Sequence, residues 1–352
     1  MEAGFSMKAM VIHAPMQFGV EEVADAVPDE GGFLLRVEAC GLCGSDLRTL
    51  RSGHSNVRFP WTLGHEICGV VEDCGRGYEG PWKRGERLSV GPLVYDPSDP
   101  FCIDGRHNLS DNVREIGQAW EGGLAEWVAI PEEAVRLGNI LRTPEGLTSA
   151  QATVVEPTSS VVHAQERARV GLGDTVLVMG AGPIGCLHVA VARARGARRV
   201  IISDLIQERL NLSLNFGPDV VINSRTSDLR EEVARATNGK MPEVIITAAP
   251  SPDAQVEAVR LAQRGGRVVL FGGLPHDNST PGVDTNIVHY HNLDIIGTSI
   301  FSPRHFRLAM DLIETGRIPV DQLITKVFPL VEFAQGAMMA LEGRVLKVVF
   351  NP

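Results

Sequence analysis

Hydrophobic and polar positions divide the chain into two stretches of different rhythm. Up to about residue 140, short β-rich runs at 33–38, 67–72, 87–90 and 125–130 alternate with turns of Gly, Pro and Asp, and helical periodicity is scarce. This pattern predicts a mostly β domain with irregular loops, whose first strand opens at Met7-Lys8-Ala9-Met10. After Gly171-Leu172-Gly173-Asp174 the rhythm becomes strand, helix, strand, helix. Apolar runs at 175–180, which reads as buried, and at 199–204, 220–223, 243–249, 267–273 and 293–299 read as strands, with helical stretches such as 184–195 and 206–216 between them. Repeated alternation of this kind predicts an α/β unit built on a doubly wound, mostly parallel sheet. The tail carries one helix at 304–316 and a last strand at 346–350 that returns to the first domain. The expected organisation is therefore discontinuous, with 1–155 and 300–352 forming one domain and 156–299 the other.

Composition narrows the partners. A chain of 352 residues exceeds one ordinary core at roughly 100–200 residues per domain, which agrees with two. With 44% hydrophobic and 22% charged residues it buries enough apolar surface to fold. The balance of 33 basic against 43 acidic side chains, a net charge of −10, opposes nucleic acid and anionic membranes and favours a small-molecule partner. Six cysteines (Cys40, Cys43, Cys68, Cys74, Cys102 and Cys186) are too sparse for a disulfide scaffold and point to a reducing, cytoplasmic setting. The apolar stretch 175–192 is broken by Gly180, Gly182, Pro183, Gly185 and His188, so no membrane span is expected. The opening MEAGFSMKAM also lacks the basic and apolar regions of a signal peptide.

Gly180-Ala181-Gly182-Pro183-Ile184-Gly185 is a G-x-G-x-x-G between a strand and a helix. Its glycines make a tight turn, let backbone approach a pyrophosphate and allow close helix–strand packing, while the helix N-terminus faces the phosphates. Asp204 ends the next strand, where a carboxylate can accept the ribose hydroxyls and repel a 2′-phosphate, so NAD is expected over NADP. The plainer role for Asp204 is a helix cap. Arg209, one turn on, either stacks on the adenine or covers surface.

In the β-rich half, Cys40-Gly41-Leu42-Cys43-Gly44-Ser45-Asp46 and Gly64-His65-Glu66 supply thiolate, imidazole and carboxylate, the donors zinc prefers. The C-x-x-C of Cys40 and Cys43 could also be a redox pair or half of a structural zinc site. Neither a second C-x-x-C nor a thioredoxin-like context accompanies it.

These motifs, together with EGGLAEWV at 121–128 and VEPTSSVVHA at 155–164, stand in an order that resembles the zinc-dependent medium-chain dehydrogenases. The chain is most similar to their polyol branch, the sorbitol (L-iditol) dehydrogenases. The resemblance implies a GroES-like β domain, a Rossmann domain and one catalytic Zn2+ per subunit held by Cys43 and His65, with Glu66 and Glu156 as the carboxylate candidates. It implies Asp46 as acceptor for the other nitrogen of His65, Ser45 as the hydroxyl of a proton relay, and Cys40 as a core thiol. Cofactor-binding positions extend to Phe271 and Thr298, with Ser299 beside it, and Phe59 and Trp120 border the substrate pocket unless they merely pack. A homo-oligomer, dimer or tetramer, is also implied.

Two positions depart from the family pattern. The lobe that carries a structural zinc in many relatives has Asp96, Asp99, Cys102 and Ser110 at its cysteine positions, so no structural zinc is expected. Arg48 stands where many relatives have a relay histidine, and a guanidinium that stays protonated cannot serve as a general base. It either binds an anionic group of the substrate, such as a phosphate, or forms a surface salt bridge. The expected activity is NAD-linked interconversion of a secondary alcohol of a polyol and its ketone. Phosphorylated-polyol and L-threonine dehydrogenases are the nearest alternatives, with a zinc-free quinone reductase or a non-enzymatic NAD-binding protein behind them.

Overall fold

In the computed structural model, which describes residues 6–137 and 139–352 apart from the His276 side chain, contacts divide the chain into two units. The first runs to Pro157 and resumes over Phe301–Glu314 and Ile324–Pro352; the second holds Thr158–Ile300 and Thr315–Leu323. Residues 315–323, which carry the buried Ile318, Val320 and Leu323, thus cluster with the second unit, whereas the sequence pattern assigned all of 300–352 to the first.

The first unit opens with an antiparallel hairpin of β1 (Ser6–Ala14) and β2 (Gln17–Ala24). There follow β3 (Phe33–Gly41), β4 (Glu66–Cys74), β5 (Arg87–Val90), the short β6 (Leu93–Val94) and β7 (Arg114–Glu115), β8 (Trp127–Ile130) and β9 (Ile140–Arg142). The second unit contributes β10 (Thr175–Met179), β11 (Arg199–Asp204), β12 (Val220–Asn223), β13 (Val244–Thr247), β14 (Arg267–Leu270) and β15 (Asp294–Gly297). Its sheet is parallel throughout, in the order β12-β11-β10-β13-β14-β15. The order reverses between β10 and β13, which opens a crevice at the carboxyl ends of those strands. After the helix Pro303–Glu314, β16 (Ile324–Pro329) and β17 (Lys347–Asn351) join the larger sheet of the first unit, ordered β16-β17-β3-β4-β5-β9. β17 pairs antiparallel with β3, Val349 opposite Gly41 and Phe350 opposite Cys40.

Several elements escape the sequence pattern for physical reasons. The helix Gly44–Ser52 buries only Asp46, Thr49 and Leu50, too few to print an apolar stripe. Phe333–Leu341 is nearly all apolar and so lacks a period, while β2 and β16 are largely exposed edge strands without alternation. β15 lies at the edge of its sheet, where only Ile296 is covered and Ile295 is exposed.

Candidate active site

Cys43, His65 and Glu66 offer a thiol, an imidazole and a carboxylate whose ligand atoms lie within 4.8 Å of one another. Local structure explains the convergence. Cys43 stands just before the helix Gly44–Ser52, and its N–H donates to Asp46 Oδ2 at 3.0 Å, a capping contact that aims both side chains. Asp46 then turns Oδ1 to His65 Nδ1 at 3.3 Å, so one carboxylate caps the helix and orients the imidazole. Ser45 Oγ is 3.5 Å from His65 Nε2. Gly64 takes φ +104°, and a Cβ there would stand 2.8 Å from both Cys40 Sγ and Leu124 N, so only glycine lets the chain turn His65 inward.

Glu66, fully buried at the start of β4, faces Lys347, the first residue of β17. The lysine Nζ pairs with Glu66 Oε2 and donates to Leu42 O at 3.1 Å. Glu66 Oε1 is left buried without a hydrogen-bond partner among the described residues, and a divalent cation at the cluster would satisfy it. With soft thiolate, imidazole and carboxylate donors, the set suits zinc.

The field is negative. Burial alone would lower the pKa of His65, but Asp46, Cys43 and Glu115 outweigh it and hold the value well above the usual one. Glu115 Oε1 lies 3.7 Å from the same Nδ1, and burial pushes its carboxyl up. Lys347 is likewise lowered by burial and raised on balance by Glu66, Cys43 and Glu156. Anions that would charge an imidazole in this way also attract a divalent metal.

Glu156, the fourth expected ligand, is outside the set of three. It lies in the first turn of the helix Val155–Arg167, half-buried by exposure of the whole residue, and burial pushes its carboxyl up to about 8. His65, Glu66, Glu115 and Lys347 all influence that value, so Glu156 is in electrostatic reach of the cluster without converging on it. Cys40 is buried and its thiol is pushed well up, chiefly by burial. Arg48 is exposed and has no ion pair among the described residues. Phe59 and Trp120 both pack against the core of the first unit, and Arg114 lies over the Trp120 ring at 4.6 Å. In the altered lobe, Asp99 accepts from the N–H groups of Phe101 at 2.7 Å and Asp111 at 3.3 Å, tying its two ends.

In the second unit, Gly180 leaves β10 at φ +114°, Pro183 and Ile184 open the helix Pro183–Ala194 behind Gly182, and Gly185 packs so tightly that a Cβ would meet Gly180 O at 1.8 Å. Asp204 closes β11, its Oδ2 accepting the Ala181 N–H at 2.6 Å and its Oδ1 that of Ile206 at 2.9 Å. The carboxylate therefore fastens the glycine turn, and each oxygen keeps a lone pair for a ribose hydroxyl. Arg209 is half-buried in the helix Gln207–Ser213. Phe271 follows β14 and meets His188 edge-on, ring centres 4.7 Å apart, and Thr298 follows β15 with its Oγ1 buried and without a hydrogen-bond partner among the described residues. The residues missing from the sequence reading are Lys347 and Glu115. A lone lysine inside VLKVVF was a usable signal for the first; nothing in VREIG marks the second.

Comparison with known proteins agrees in both units. The alcohol dehydrogenase GroES-like domain family matches residues 29–139, and the zinc-binding dehydrogenase family matches 183–315. Sorbitol dehydrogenase of Bacillus subtilis is 30% identical over 356 residues, covering 99% of this chain and 98% of its own. D-arabitol-phosphate dehydrogenase of Enterococcus avium is 28% identical over 354 residues, covering 98% and 97%. The crystal structure of a zinc-binding dehydrogenase from Sinorhizobium meliloti, bound to NADP, superposes with a TM-score of 0.89 at 29% identity, covering 99% of this chain and 100% of its own.

Proposed function

We propose, for a chain that belongs to the zinc-type medium-chain dehydrogenases and to their polyol branch, that it oxidises a secondary alcohol of a free polyol to the ketone with NAD. The convergence of Cys43, His65 and Glu66 within 4.8 Å carries this reading. Zinc supplies Lewis acidity, which makes a hydroxyl proton labile near neutral pH. Cys43, His65 and Glu66 hold the metal, Asp46 keeps the His65 proton on Nδ1, and Glu156 acts from outside the ligand set. Ser45 Oγ would accept the hydroxyl proton while its own leaves through the cofactor ribose toward solvent. Arg48 cannot receive it, since guanidinium stays protonated. Bound NAD would supply the acceptor for the carbinol hydride, so that the products would be ketone, NADH and one proton.

The glycine turn 180–185 holds the pyrophosphate and Asp204 the adenosine ribose, whose 2′-phosphate form it repels. This preference is open to direct test because the Sinorhizobium relative was solved with NADP. A thiolate metal ligand fits a reducing cytoplasm. The homo-oligomer that accompanies this reading is measurable by light scattering. Arg48, exposed and without an ion pair among the described residues, favours a second reading in which the substrate carries a phosphate, as the name of the Enterococcus relative does.

The decisive experiment follows NADH formation over free and phosphorylated polyols, with NAD and NADP, before and after chelation. Fastest turnover is expected with a free polyol and NAD, lost on chelation and restored by zinc. Cys43→Ser should lower kcat/KM by at least about 100-fold, because even outer partners of metal ligands contribute about 10–100-fold. Full activity in chelated, folded protein or in Cys43→Ser would end the zinc reading. A preference for phosphorylated polyols that Arg48→Ala abolishes would establish the second one.

A further inference from the structure

We propose that Glu115 is a second positioning carboxylate for the metal-binding imidazole, acting with Asp46 on the Nδ1 side of His65. The inference deepens the zinc reading and rests on it. Asp46 Oδ1 approaches that nitrogen to 3.3 Å and Glu115 Oε1 to 3.7 Å. They arrive from unrelated elements, Asp46 from the first turn of the helix Gly44–Ser52 and Glu115 from β7, where it pairs with Leu93 of β6.

Three observations show that Glu115 is aimed at the ring. Its Oε2 accepts from Gln118 Nε2 at 2.8 Å, which fixes the carboxylate plane. His65 is its only ion-pair partner among the described residues, since the neighbouring Arg114 is engaged by Glu133. The Glu115 side chain is only 19% exposed, and an anion so covered needs a partner to offset its lost hydration.

The geometry has a chemical consequence. Asp46 is the nearer acceptor for the N–H, while Glu115, beyond hydrogen-bond reach at 3.7 Å, pulls on the same side of the ring electrostatically, so the two carboxylates pin the imidazole from two directions. With the proton held on Nδ1, the Nε2 lone pair stays free for the metal, and the ring becomes a stronger donor. Asp46 also takes the Cys43 N–H and so serves the helix as well as the imidazole, whereas the other oxygen of Glu115 takes the Gln118 amide that anchors it.

The test measures zinc affinity by chelator competition, and the absorption bands of the Co2+ form, for wild type, Glu115→Gln, Asp46→Asn and the double variant. Glu115→Gln should weaken zinc binding about tenfold and shift the cobalt bands. The double variant should lose more than the product of the single losses, because either carboxylate partly replaces the other. Glutamine still offers Gln118 an acceptor, so the metal-free thermal midpoint should hardly move. Should Glu115→Gln fail to fold, Gln118→Ala, which only loosens the anchor, is expected to shift both readouts in the same direction by less. Wild-type affinity with unshifted bands overturns the role of Glu115. A wild-type chain that takes up no zinc overturns the zinc reading itself.

Discussion

At the scale of the residue, buried polar groups carry the consequences. His188 is fully buried in the helix Pro183–Ala194. Gln165 Nε2 donates to its carbonyl at 2.7 Å and lies 3.2 Å from its Nδ1, so Nδ1 is the acceptor and Nε2 carries the hydrogen. Burial depresses the His188 pKa from 6.5 to about 3. The folded value is below the unfolded one, so between them the unfolded chain binds more protons. The resulting stability is complete above pH 6.5 and is lost as pH falls toward about 3. The slope approaches ~1.4 kcal/mol per pH unit. Urea midpoints should fall below pH 6.5 more steeply for wild type than for His188→Gln. Equal slopes would show that His188 is protonated without cost.

Among the elements, the strand–turn–helix of β10 and Pro183–Ala194 is the most constrained. A Cβ on Gly185 would reach 1.8 Å from Gly180 O, so Gly185→Ala must push the helix off the turn. Overpacking of this kind costs about 1–3 kcal/mol and displaces the N–H groups that would meet a pyrophosphate. NADH binding, read by fluorescence, should be lost while zinc binding is retained, because Cys43, His65 and Glu66 all lie in the first unit. Wild-type NADH affinity in the variant would contradict the assignment of the turn. This element was legible in the sequence because its turn, glycine spacing and closing carboxylate lie within one short stretch. Helix Gly44–Ser52 was not, since it is held by the Asp46 cap and buries too little to show a period.

For the whole molecule, each unit has its own core. Phe33, Leu88 and Phe350 belong to the first, Leu177, Ile245 and Val268 to the second. Calorimetry should therefore resolve two transitions, NADH raising one and chelation lowering the other. A ligand at 100 times its Kd adds about 2.7 kcal/mol to the unit that binds it. One transition moved equally by both treatments would refute separate stabilities. The sequence by itself determined the two-part rhythm, the parallel sheet, the glycine turn with Asp204, and a pool of four candidate ligands, Cys43, His65, Glu66 and Glu156. These are written in hydrophobic periods and in motifs whose residues are near neighbours or match a family pattern. Only the tertiary structure decided that Glu156 stands outside the cluster of Cys43, His65 and Glu66, that Glu115 faces His65 beside Asp46, and that Lys347 reaches back across 305 residues to Leu42 and pairs with Glu66. The reason is physical: a buried charge must be compensated by whatever packing brings beside it, and no local period encodes which distant strand that will be.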